Sequence, residues 1–211
     1  MSWEPVATAL SVLALIANAL VVAALVGFLA SRVSTRMRGG WEATRDGLAP
    51  YALPGAFVVA AVATCGSLYF QFGAGFTPCD LCWFQRICMY PQTLVLAATA
   101  VRRDLASARW ISMPLAGVGA LIAAYHFQLQ RNPGEPHPSC GVGQPVCSQA
   151  PFEIFGFIAI PYMALSAFLL IITLLAIARE PAELEEGEVD EAPEVEPAST
   201  PGPSPRPALT R

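Results

Sequence analysis

The sequence predicts an all-α integral membrane protein, and three observations carry that prediction. Apolar residues make up 55% of the 211-residue chain and charged residues only 13%, more apolar side chain than a soluble domain of this length can hide. Five apolar runs are long enough to cross a bilayer or nearly so, near 7–30, 51–70, 84–101, 112–128 and 157–178. The arginines sort to alternate ends of those runs, as in a chain threaded back and forth through a membrane.

The first run is read as a true span rather than a cleaved leader. No basic residue lies in Met1–Val6, and the run is longer than the apolar stretch of a signal peptide. The third and fourth runs are shorter and richer in small or polar residues, so they are expected to be the inner helices. Arg32, Arg36, Arg38 and Arg45 follow the first run, Arg102, Arg103 and Arg109 the third, and Arg179 the fifth. Positive charge marks the cytoplasmic ends of spans. The N-terminus is therefore expected outside and the C-terminus in the cytoplasm, with extracytoplasmic connections at about 71–83 and 129–156. Arg131, and Arg86 just inside a helix, are the only basic residues on that outer side.

The net charge of −4 misleads. Residues 180–211 hold nine of the sixteen acids against Arg206 and Arg211, so the tail alone is −7 and the body is +3. The tail runs through Glu183, Glu185, Glu186, Glu188 and Asp190 into Pro201, Pro203, Pro205 and Pro207. It is too polar to bury a core and is expected to be disordered and without a chemical role. No basic surface suited to nucleic acid is visible, and no internal repeat. Three segments follow: 1–50, an N-terminal transmembrane helix and cytoplasmic Arg-rich linker; 51–179, a helical bundle; and 180–211, the acidic, Pro-rich tail.

Six cysteines are many for this length. Under the topology above, Cys79, Cys82, Cys140 and Cys147 all fall on the extracytoplasmic side, where disulfides persist. The topology was read from arginines alone, so this agreement is independent of it. Cys79 and Cys82 form a C-x-x-C at the outer N-terminal end of the third span. Unpaired N–H groups and the helix macrodipole there favour thiolate, the form that attacks disulfides and oxidants. Arg86 lies four residues after Cys82 and seven after Cys79, on the same helical face. A cation at that depth needs a partner, and a quinone carbonyl, which gains negative charge on reduction, is one; the plainer alternative is an arginine reaching for lipid headgroups.

Cys140 and Cys147 sit in Pro138-Ser139-Cys140-Gly141-Val142-Gly143-Gln144-Pro145-Val146-Cys147, a polar, glycine- and proline-broken loop that a protein partner can reach. The loop alone also fits a structural staple. His126, where a span meets that loop, has two readings: a proton donor to a quinone oxygen, or an interfacial ring between Tyr125 and Phe127. His137, between two prolines, reads as surface. Cys65 and Cys88 lie inside apolar runs and read as small hydrophobes.

The stretch Pro78-Cys79-Asp80-Leu81-Cys82-Trp83-Phe84-Gln85-Arg86, continuing to Met89-Tyr90-Pro91, resembles the signature of the DsbB/BdbC family of disulfide bond formation proteins. So do the outer loop with Cys140 and Cys147 and the segment Tyr125-His126-Phe127-Gln128-Leu129-Gln130 before it. The similarity covers roughly residues 51–178. It implies a four-helix transmembrane bundle, here with an additional N-terminal transmembrane helix and a disordered C-terminal tail. It also implies a thiol oxidoreductase of a bacterial cytoplasmic membrane that reoxidises a DsbA-like, thioredoxin-fold thiol oxidase and reduces ubiquinone or menaquinone. Carried over, Cys140 forms the mixed disulfide with that partner, Cys147 exchanges with Cys79, and Cys82 faces the quinone with Arg86 and His126 beside the ring. No metal is implied.

The extra N-terminal span, the acidic tail and the short Cys140–Cys147 spacing depart from DsbB proper and lie nearer the compact BdbC type. Rival readings are a quinone reductase of the vitamin K epoxide reductase type, a non-enzymatic scaffold whose four outer cysteines bind zinc, and a transporter. The early position of C-x-x-C argues against the first, Arg86 has no role in the second, and the third lacks paired broken helices.

Overall fold

The computed structural model describes residues 2–132 and 147–179. Five helices follow one another: α1 (Glu4–Val33), α2 (Thr35–Leu68), α3 (Asp80–Arg102), α4 (Leu105–Arg131) and α5 (Ile160–Ile177). A single π-helical turn, Tyr69–Gly73, continues α2. No β-strand occurs among the described residues, and the fold is all-α with helices able to cross a membrane. Cys140, His137 and the tail from 180 lie outside the described residues.

Each apolar run forms the main part of a helix, but two helices begin earlier than expected, α4 at Leu105 rather than near 112 and α2 at Thr35. The run expected at 51–70 is the second half of a 34-residue helix that begins at Thr35, so the Arg-rich connection is itself helical. Only Ser34, in extended conformation, separates α1 from α2. Sequence periodicity missed this because Arg36, Arg38, Glu42 and Arg45 give residues 35–49 a polar face all round. The first turns of α2 rest on α1 through Trp41 against Gly27, and Arg38–Glu42 (3.2 Å) adds one exposed ion pair. Four helices, α1, α2, α4 and α5, are long and apolar enough to span. The third, α3, falls short of that measure because it carries Gln85, Arg86, Gln92, Thr93 and Thr99. Four of those five are buried, so the polar side of α3 faces the bundle; the third and fourth spans are nevertheless not the inner ones, since α5 packs on α1, α2 and α4 whereas α3 packs on α2 and α4.

The helices α2 to α5 close a ring in which α2 packs on α3 and α5, and α4 on α3 and α5; α1 lies outside it against α2 and α5. The shared core takes mostly small residues from α2 and α4, Ala52, Ala56 and Ala60 from the first and Ala108, Ala116, Ala120 and Ala123 from the second, and larger ones such as Leu96 and Ile171 from α3 and α5. Small side chains let helix backbones approach where lipid offers no hydrophobic drive to associate. Into that tight seam α5 sends one large ring, Phe168, fully buried. Gly119 of α4 makes the room: a Cβ there would overlap the Phe168 ring. The outward faces are apolar instead, with Leu94 and Leu121 both about three-quarters exposed, as a lipid-facing surface requires.

The two ends of the ring differ. At one, arginines finish the helices: Arg109 donates to the carbonyls of Leu175 (2.9 Å) and Ala178 (2.5 Å), Arg45 to Ala176, and Arg179 pairs with Asp46. These are the orphan carbonyls and negative dipole of the α5 C-terminus, satisfied by cations. Asp104 caps α4 by accepting from the Ser107 N–H (2.9 Å), and that bonding holds its carboxyl below the usual range. At the opposite end Trp3, Phe70, Phe76 and Phe152 form an aromatic cluster, with ring centroids 5.2 Å apart for Trp3–Phe152 and for Phe70–Phe152.

The Gly119–Phe168 seat gives a direct expectation. Overpacking a filled core costs about 1–3 kcal/mol. Gly119→Leu should lower the thermal midpoint of the detergent-purified protein by several degrees, whereas Leu121→Ala, two residues along on the lipid face, should leave it within about a degree; circular dichroism melts of the pair distinguish the two.

Candidate functional site

Pro78 ends an extended entry to α3, and Cys79, in β conformation, stands one residue ahead of the helix. Its carbonyl accepts the Trp83 N–H at 3.1 Å, so the first turn winds directly over the C-x-x-C. That winding brings the sulfurs together: the Cys79 thiol donates to Cys82 Sγ at 3.4 Å. Cys79 is buried and Cys82 half-buried. The Cys79 thiol is pushed up to about 12, first by its hydrogen bond to Cys82 and then by burial. The helix start alone suggested a lowered thiol. At Cys79 the bond and the burial win, and the proton stays on the sulfur that donates it.

His126 of α4 stands against this pair. It is 1% exposed, so the interfacial reading of its ring is not the arrangement found. Its Nε2 lies 3.1 Å from the Cys147 carbonyl and 3.7 Å from Cys79 Sγ, and its Nδ1 lies 3.0 Å from the Gln85 amide nitrogen. A carbonyl only accepts, so Nε2 carries a proton; in the neutral ring Nδ1 then accepts from Gln85. Cys147 is buried in the same apolar cluster as Cys79, Leu81 and Leu129, with Cys82 packed on it. Three of the four outer cysteines expected to carry chemistry are thus together. The fourth, Cys140, lies outside the described residues.

Arg86 is 8% exposed, and α2 rather than lipid holds it. Its Nε donates to Ser67 Oγ (2.9 Å), one terminal nitrogen to the Ser67 carbonyl (3.1 Å) and the other to Gln71 Oε1. Gln71 belongs to the π-helical turn, a device that occurs mostly at functional sites because it frees a turn from regular bonding. The guanidinium also sits 5.1 Å from the centre of the Trp83 ring. Two of its five N–H groups are not used by those three bonds.

Cys79, Cys82, Arg86 and His126 all border one cavity of about 330 Å³, within the range of small-molecule sites. Its remaining walls are mostly apolar side chains of α1, α2 and α5. Gln130, one turn after His126, also lines it, and its Oε1 is buried without a hydrogen-bond partner among the described residues. A polar mouth with donors, an idle acceptor and a long apolar remainder suits a polar ring bearing an apolar chain, which is the chemistry of a membrane quinone. Cys79 Sγ, Cys82 Sγ and a His126 nitrogen also lie within 4.8 Å of one another, close enough to hold a soft metal ion.

Gln85, Ser67, Gln71 and Gln130 were not singled out from sequence. A signal for Gln85 was available, since a glutamine beside an arginine at membrane depth needs a partner. Ser67 and Gln71 became visible only once α2 packed on α3. Cys88 is buried in the core and Cys65 is exposed on the outer face of α2.

An all-helical membrane bundle with a dithiol at one mouth is the arrangement of a membrane thiol oxidoreductase. Within that class the chain belongs to the DsbB family, whose model, described as disulfide bond formation protein DsbB, matches residues 51–178. A probable disulfide formation protein of Coxiella burnetii is 39% identical over 129 residues, 61% of this chain and 87% of that protein. Disulfide bond formation protein C of Bacillus subtilis is 41% identical over 124 residues, 58% and 88% of the two chains. No solved structure matches. The protein is accordingly a disulfide-forming membrane protein with oxidoreductase activity.

The tautomer assigned to His126 is testable. Gln85→Glu replaces the donor facing Nδ1 with an acceptor, so the neutral ring should move its proton to Nδ1 and release the Cys147 carbonyl. Nitrogen NMR of labelled imidazole should report Nε2–H in the parent and Nδ1–H in the variant; the same tautomer in both would refute the hydrogen-bond chain.

Proposed function

We propose that the protein is a thiol:quinone oxidoreductase that reoxidises an extracytoplasmic DsbA-like thiol oxidase and reduces ubiquinone or menaquinone, driving disulfide formation in exported proteins. The observation that carries this reading is the gathering of Cys79, Cys82 and His126 at the polar mouth of a cavity whose other walls are mostly apolar, with Cys147 packed against Cys79. The names of the curated relatives support the disulfide-forming half, and the cavity supports the quinone half.

In the first step the partner's dithiol attacks the Cys140–Cys147 disulfide, with Cys140 forming the mixed disulfide; the partner leaves oxidised and Cys140 and Cys147 are left as thiols. In the second, Cys147 attacks a Cys79–Cys82 disulfide at Cys79, which regenerates Cys140–Cys147 and leaves Cys79 and Cys82 reduced. The packing of Cys147 against Cys79 supports that couple. A bound quinone supplies the sink for the two electrons and two protons released as Cys79 and Cys82 close their disulfide again. Cys82 is the sulfur facing the ring, since its Sγ accepts the Cys79 hydrogen bond and it lies one turn from Arg86. The free N–H groups of Arg86 meet the charge that develops on the ring oxygen. His126 holds a proton at Nε2 beside Cys79, and Gln130 Oε1 offers an acceptor to a ring hydroxyl. The arginine-rich end, remote from the thiols, supports the orientation with the thiols outside a bacterial cytoplasmic membrane and the C-terminus inside.

A second reading has one observation in its favour. The trio Cys79, Cys82 and His126 has the ligand types and closeness of a zinc site, which would make the cluster a structural node. It leaves Arg86 and the cavity without a purpose. Stoichiometric zinc in the purified protein, with no activity, would favour it.

Right-side-out membrane vesicles given a reduced thioredoxin-fold partner on the outside should oxidise it at the expense of quinone, and Cys82→Ser should abolish turnover. Undiminished turnover in Cys82→Ser, or oxidation only in inverted vesicles, would overturn the proposal. Arg86→Ala should raise the quinone KM about ten-fold, the equivalent of one charge-assisted hydrogen bond, and leave the partner's KM within about two-fold; the reverse ranking would remove Arg86 from the ring site.

A further inference from the structure

The family match begins at residue 51, which leaves α1 outside it. Yet α1 is joined to the bundle by specific polar contacts. Its Asn18 Nδ2 donates to Tyr162 Oη at 3.0 Å and to Ser166 Oγ at 2.8 Å, both on α5. Interhelical bonds of this kind stand out in lipid, where an unpaired amide has no water to turn to. At the thiol end Trp3, just ahead of α1, enters the aromatic cluster with Phe76 and Phe152. Against α2, Leu10 reaches so close to Gly66 that a Cβ there would come within 2.9 Å of it.

Docked this way, α1 contributes to the cavity itself. Leu10, Leu13, Ala14, Ala17 and Leu20 line it. From Leu10 to Leu20 is ten residues, about 15 Å along a helix. On α2 the lining runs from Val58 to Ser67 and on α5 from Ile160 to Leu170, the same depth. The polar groups Cys79, Cys82, Arg86 and His126 come from α3 and α4 at one mouth, and the long remainder is a trough between α1, α2 and α5.

We infer that α1 is the third wall of a subsite for the isoprenoid tail of the quinone, and so sets the preference of this enzyme for long-tailed over short-tailed acceptors. The inference rests on the quinone reading above. A ring seated at Cys82 and Arg86 would have its tail along the apolar remainder of the cavity, one side of which α1 lines. Ala17, 7% exposed, forms that wall with a small side chain, and a larger one there fills the trough rather than the ring site. A phospholipid acyl chain shares the chemistry of the tail, and the experiment separates the two.

The test measures equilibrium binding to the full-length purified protein by tryptophan quenching, with two probes: a tail-less ubiquinone ring and a ubiquinone with a long isoprenoid chain, repeated with the corresponding naphthoquinones. Ala17→Phe should raise the Kd of the tailed probe relative to the tail-less one at least ten-fold. Leu13→Ala with Leu20→Ala, which removes wall without adding bulk, should shift the same ratio three-fold or more and guards against misfolding in the first variant. Leu25→Phe, on the exposed face of α1 and outside the cavity, should leave the ratio unchanged. Equal shifts for both probes, or none, overturn the inference while leaving the quinone reading intact. Loss of co-purified phospholipid with an unchanged quinone ratio overturns it too and assigns the trough to lipid. If neither probe binds the parent protein, the quinone reading itself fails and this one with it.

Discussion

The site hangs on one buried ring. His126 accepts from Gln85 of α3, donates to the carbonyl of Cys147 in the segment after α4, and lies against Cys79, so one imidazole ties the start of α3 and the segment after α4 to α4 around a pair of sulfurs. The ring is almost fully enclosed, so each of these bonds forms without competition from water, and each leaves a costly orphan if broken. Because the Cys147 carbonyl only accepts, it also dictates which nitrogen carries the proton. The carbonyl thereby keeps an N–H donor beside a thiol.

Arg86 obeys the same constraint. A guanidinium inside a membrane bundle is tolerable only with acceptors supplied by protein, and α2 supplies them through Ser67 and the π-helical turn carrying Gln71. The turn and the arginine explain each other: the π-helical turn after α2 offers Gln71 to the guanidinium, and the guanidinium is held beside the cavity. Behind them the core faces of α2 and α4 are mostly alanine, which lets their backbones approach the larger side chains of α3 and α5 closely around these few polar groups.

Much of this was legible in the sequence. Apolar runs located all five helices, and the arginines located the end away from the thiols, which in the structure is where Arg45, Arg109 and Arg179 bind the end of α5. The C-x-x-C at a helix start, Arg86 one turn on and His126 at the mouth of the next helix were recognisable from spacing and depth. What escaped was what depends on packing. The helical character of residues 35–50 hid behind a charged surface with no apolar stripe. Ser67 and Gln71 belong to a different helix from the arginine they serve. Whether His126 faced lipid or protein was undecidable from its neighbours Tyr125 and Phe127, since both readings place aromatic rings beside it. The raised Cys79 thiol follows from a sulfur–sulfur hydrogen bond that only the wound first turn creates.

The joint between α1 and α2 is a single residue, Ser34, which makes the two helices a hairpin with no slack. A hairpin whose second arm is a bundle helix carries the chain's beginning back to the end where the thiols lie, and Trp3 is found there among Phe76 and Phe152. The start and finish of the folded body are therefore at opposite poles, with Arg179 beside Asp46 at the other. A group attached at Trp3 sits at the pole that holds the cysteines, at high effective concentration relative to them, while one attached at Arg179 sits at the opposite pole. Such polarity makes the two ends of the folded body unequal handles, one close to the sulfurs and one remote from them.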